Sequence, residues 1–80
     1  MGLKEEYEKR KKLLIELQEK CFEALKEVVK EIEGYPRGFG RTVAFYQALE
    51  DKGVFILIDN IQILMRQLKE IKYLLDRGYK

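Results

Sequence analysis

The sequence predicts an all-α protein. A long antiparallel helical hairpin has its two arms joined through a short connecting helix, three helices in all, and two such hairpins pair into a helical-bundle homodimer. Three observations predict it. Leu14, Leu17, Cys21, Leu25, Val28 and Ile32 recur at spacings of three and four, which draws one apolar stripe along a helix. Leu57, Leu64 and Ile71 stand seven apart, and Val54, Ile61, Leu68 and Leu75 do the same three residues earlier. Together they make an a/d seam over about three heptads. Between the two patterned segments lies GYPRGFGRT, residues 34–42, with the sole proline of the chain.

The first helix is expected over residues 3–33. No Gly or Pro interrupts it, and Leu13, Ala24 and Val29 flank the stripe. Glu5–Lys9, Glu6–Arg10, Glu8–Lys12 and Glu16–Lys20 are i,i+4 pairs with the acid on the N-terminal side, the favourable order on a helix surface. At 1.5 Å per residue such a helix is on the order of 46 Å long. Gly34 is placed to stop it, with Pro36 two residues beyond.

A corner loop is expected over residues 34–41 and a short helix over 42–52. Thr42 is the residue type that caps a helix start, and Val43, Phe45, Tyr46 and Leu49 supply the apolar positions. The last helix is expected over 54–77, with Ile58 and Met65 widening its seam and Gly78 as its stop. A rival reading stays open over residues 54–58. VFILI is β-branched and aromatic enough for a strand, and Asp59-Asn60-Ile61-Gln62 resembles a capping box that starts the helix later. The heptad register runs through the segment, and no second strand is available to pair with it.

Eighty residues make one domain with a small core, because a chain of this size buries only about 60–65% of its unfolded surface. Such domains lean on disulfides, metals, helix packing or a partner chain. Cys21 is the only cysteine, so no disulfide forms within the chain, and its place on the apolar stripe marks it as a small core residue. Histidine is absent, which removes imidazole catalysis, the usual zinc ligands and the Glu-His pairs of bundle di-metal centres. Glu16, Glu19, Glu23, Glu27 and Glu31 line the first helix, but lysines at 20, 26 and 30 interleave with them, so they read as a solvated face. Serine is absent as well, so neither a Ser-His-Asp triad nor a Cys-His pair can be assembled. No cofactor is implied, and no enzyme is expected.

Lys, Arg, Asp and Glu make up 38% of the chain while Thr and Asn occur once each, a composition of ion-pair-rich thermophile proteins. The net charge of +2 is too small to imply nucleic acid by itself. The segment 1–12 has no apolar core of a secretory leader. The longest apolar run, VFILI, is far short of the roughly 20 residues that span a bilayer. A cytoplasmic protein without membrane contact is expected.

Each long helix carries more apolar surface than one partner helix covers, so the first functional expectation is a small non-enzymatic interaction module. It self-associates through the apolar faces of residues 13–32 and 54–75 as a dimer, or takes a protein partner there. The alternative is a small nucleic-acid-binding regulator. In it Arg37, Arg41 and Thr42 meet phosphates and Tyr35 or Phe39 stacks on bases, since residues 34–49 hold two arginines and no acid. The same corner also reads as a tight connection, in which Gly and Pro fix the turn and the aromatics plug the end of the bundle.

Overall fold

Thirty consecutive residues without Gly or Pro, Leu3–Ile32, form α1 in the computed structural model, which describes residues 2–80. Phe39–Asp51 form α2 and Val54–Asp76 form α3. No strand occurs among the described residues. Residues 54–58 are helical, so the strand reading of VFILI fails. The seven-residue spacing of its apolar positions outweighs the β preference of its residue types.

Groups from distant parts of the chain pair in a descending register. The Leu3 amide donates to the Lys80 carbonyl at 3.0 Å. Arg10 Nε donates to Gln67 Oε1 at 3.1 Å. Lys52 Nζ stands 3.6 Å from Glu27 Oε2. α1 packs most extensively on α3 and less on α2. The result is a rod of 56 × 18 × 15 Å.

The core sits at one end of the rod. Cys21, Val28, Ala48, Leu49 and Val54 form its buried cluster, with Ala24, Phe45, Leu57 and Ile61 packed against it. α2 is what makes this end dense, since it contributes two small or branched residues between the long helices. Farther along, Leu64 is buried, while Leu14, Leu17, Leu68, Ile71 and Leu75 are only half-buried.

The corner differs from the sequence expectation. α2 begins at Phe39 rather than Thr42, so the loop is shorter than 34–41. Gly38 takes φ 142° and ψ −169° at the N-cap, a backbone state that a side chain disfavours, and it turns the chain into the helix earlier. Thr42 lies inside the first turn, where its amide and its hydroxyl both donate to the Gly38 carbonyl, at 3.3 and 3.4 Å. Gly34 does not take the left-handed conformation of a helix stop; the glycines with positive φ are Gly38, Gly53 and Gly78. α1 ends one residue short of expectation, at Ile32, with Glu33 as C-cap. Pro36 bars the helix from running on through Tyr35, because the residue before a proline is driven away from helical backbone.

Gly53 joins α2 to α3 almost alone. Its amide donates to the Glu50 carbonyl at 3.0 Å, its carbonyl accepts from the Leu57 amide at 3.1 Å, and its φ is 71°. One residue closes one helix and opens the next. Gly78 closes α3 in a Schellman arrangement: its amide donates to Leu75 O at 3.0 Å and the Tyr79 amide to Leu74 O at 3.1 Å. α3 itself ends at Asp76, one residue before the expected 77.

Candidate functional site

The seam residues go into the chain's own interior. Cys21, Val28 and Leu64 are buried. Leu14, Leu17, Ile32, Leu57, Ile61, Leu68, Ile71 and Leu75 are half-buried. Leu25 alone stands exposed, at 37%. The seam therefore supplies the packing of α1, α2 and α3, and the apolar surface left for a partner lies on its flanks.

That surface is extensive. On α1, Ile15, Phe22, Leu25 and Val29 are exposed, with Phe22 at 60%. On α3, Ile56, Ile58, Ile63 and Met65 are exposed, with Met65 at 54%. Phe22, Leu25 and Val29 border one shallow depression together with Lys26, Lys30 and Glu33. The Lys26 ammonium lies 4.7 Å from the centre of the Phe22 ring, a cation–π contact that steadies an exposed aromatic. Val29 and Met65 flank the seam in sequence. Ile15 and Phe22 escaped the sequence reading, because their seven-residue spacing is visible but nothing in it says which flank α2 leaves bare.

At the corner, the structure brings together part of the expected anion set. Arg37, Gly38, Arg41 and Thr42 line an open hollow of about 450 Å³ with Ile32, Phe45 and Tyr46. Neither arginine enters an ion pair within 4.0 Å among the described residues. The first turn of α2 carries no acid, so nothing there offsets the positive end of the helix dipole. Tyr35 does not join this hollow. It borders a neighbouring one of about 410 Å³ with Glu31, Val43, Gln47 and Asp51. Phe39 stands apart at 84% exposed. The rings that border the hollow with the arginines are Phe45 and Tyr46, set edge-on with centroids 5.8 Å apart. Chemically the hollow offers guanidinium donors and one phenol.

Charged groups elsewhere are sparsely paired. Of the four i,i+4 pairs expected on α1, Glu6–Arg10 closes. Arg10 holds the Glu6 carboxyl below its ordinary value, first through a direct hydrogen bond and then through charge attraction. Arg10 also reaches across to Gln67, so it ties α1 to α3. Among the described residues no group of three His, Cys, Asp or Glu side chains is placed to hold a metal ion. No described helix is long and apolar enough to cross a membrane. The chain matches no family model, no curated protein and no solved structure.

Proposed function

We propose that the chain is a small, non-enzymatic helical module whose work is self-association. In this reading α1 and α3 lie antiparallel as a hairpin, and two hairpins pair as a homodimer. The register of Leu3 with Lys80, Arg10 with Gln67 and Glu27 with Lys52 supports the hairpin. The observation that carries the dimer is the set of large apolar side chains left exposed on both long helices, since exposed apolar surface on this scale marks an interaction site. Sedimentation equilibrium over a micromolar to millimolar series tests it. A mass near twice 9.6 kDa is expected; a mass of 9.6 kDa at every concentration overturns the proposal.

A second reading has one specific observation in its favour. The unpaired Arg37 and Arg41 converge on the hollow that Tyr46 also borders, which suits a phosphate-bearing ligand such as single-stranded nucleic acid. Binding that weakens steeply between about 50 and 200 mM salt, and that is lost in the Arg37→Ala/Arg41→Ala double variant, is the result this reading requires. Equal affinity in the double variant excludes the corner.

A further inference from the structure

Ile15, Phe22 and Val29 recur every seven residues on α1, about a quarter turn from the seam, with Leu25 between them and it. Ile58 and Met65 do the same on α3. Both rows are rotated from their seams in the same rotational sense. In two helices that run oppositely, equal rotations fall on the same side of the pair. The pairing of Leu3 with Lys80 and of Arg10 with Gln67 sets Ile15 within a turn of Met65 and Phe22 within a turn of Ile58. α2 lies on the other side: Ala24, which packs against the cluster containing Ala48 and Leu49, and Glu27, which meets Lys52, are rotated the opposite way. α2 thus packs on one face of the hairpin at one end, where Leu13, Ile56 and Ile63 still stand exposed beyond it, and the opposite face, with Ile15, Phe22, Val29, Ile58 and Met65, carries no helix of this chain.

We infer that this bare face docks on the same face of a second copy. The two hairpins point in opposite directions about a two-fold axis that crosses the rod near Phe22 and Ile58. α1 then lies over α1 and α3 over α3 in a four-helix bundle. The inference rests on the self-association reading and gives it a surface and a direction.

Three features choose a second copy as the occupant. The first is area. The chain exposes 6579 Å², about 1,500 Å² more than the roughly 5,100 Å² of a compact monomer of its mass, and an ordinary dimer takes about 800 Å² from each partner. The second is self-complementarity. About an axis at Phe22 and Ile58, Ile15 of one copy falls over Val29 of the other and Phe22 over itself, so the apolar row meets an apolar row. The third is charge. Lys4, Lys11, Lys69 and Lys72 outnumber Glu8 and Asp76 on this face toward the chain termini. A dimer with both hairpins pointing one way would press the two lysine-rich ends together. The opposed arrangement parts them and brings Glu33, which borders the Phe22 depression, toward Lys11 of the other copy.

Cysteine cross-linking in a Cys21→Ala background, read beside sedimentation, tests the inference. Ile58→Cys lies at the axis and is expected to form a disulfide-linked dimer with itself under mild oxidation. Lys11→Cys chains mixed with Glu33→Cys chains are expected to give the heterodimer, whereas Lys11→Cys alone stays unlinked, its two copies being roughly 30 Å or more apart. Phe22→Lys, at an exposed position, is expected to retain helicity and to weaken the dimer about 30-fold or more. Linkage of Lys11→Cys to Lys72→Cys would mean that the hairpins point the same way, and would overturn the inference. A dimeric mass with none of the expected links, or with Phe22→Lys dimerising as the parent does, overturns this face while self-association stands. A monomeric mass for the parent chain overturns both.

Discussion

Val28 and Val54 are the two largest side chains taken wholly out of solvent, at 0% and 1% exposed, and each sits where α2 presses on a long helix. Truncating either leaves two methyl groups' worth of space in the densest part of a thin molecule. Val28→Ala or Val54→Ala is expected to cost about 2 kcal/mol, from lost burial plus the cavity, and to lower Tm by roughly 10 °C in a domain this small. Ile56→Ala, at a position 67% exposed, should stay within about 0.5 kcal/mol. Thermal melts of the three variants check this, and equal losses at positions 28 and 56 would contradict the core assignment.

Glu6 offers a second test at the residue scale. Its folded-state carboxyl titrates below the ordinary 4.5 because Arg10 donates to it. A depressed carboxylate stabilises the fold above its unfolded pKa, and that stability drains as pH falls through the folded value. Glu6→Gln removes the dependence. The Tm gap between parent and variant should therefore be constant near neutrality and shrink below about pH 4.5. A gap that stays constant into strong acid would show that the pair contributes nothing.

Helix boundaries depend on single backbone positions. Gly53 holds φ 71° while bonding to both neighbouring helices, and a Cβ there would meet no atom within 4 Å. Gly53→Ala thus isolates backbone strain: a loss of about 1 kcal/mol is expected, visible as a Tm drop of several degrees. Gly34→Ala, at a glycine without positive φ, should cost nothing measurable. Comparable losses in the two variants would mean that φ at residue 53 is not the cause.

The same contrast explains what could be read beforehand at this scale. Seam positions such as Cys21, Val28 and Leu64 were legible, because burial on a helix must repeat with its turn, and the spacing records that directly. The start of α2 was not. Thr42 carries the side-chain signature of a cap, but the turn is made by the backbone of Gly38, and a glycine does not advertise which φ it will take. The gathering of Arg37, Arg41 and Thr42 around one hollow was legible from closeness in sequence. The place of Tyr46 beside them required the helix to begin at Phe39.

At the scale of the whole molecule, shape carries the argument. A radius of gyration of 17.5 Å compares with about 12 Å for a compact chain of this length. The well-buried cluster is confined to the α2 end, and half-buried leucines run down the rest of the rod. Which flank of α1 and α3 would stay bare could not be read from the repeat alone, since it depends on the side to which the corner folds α2. If the bare flank is closed by a second copy, folding and association are one equilibrium, and stability must depend on protein concentration. With unfolding enthalpy near 0.7 kcal/mol per residue, a dimer of this chain absorbs about 110 kcal/mol. Mass action then raises Tm by about 4 °C for each tenfold increase in concentration. Melts at 5, 50 and 500 µM, followed by circular dichroism, are expected to show that slope, and Phe22→Lys should flatten it. A parent Tm that does not move across the series would mean that the single chain is stable alone and that its exposed apolar side chains stay open to solvent.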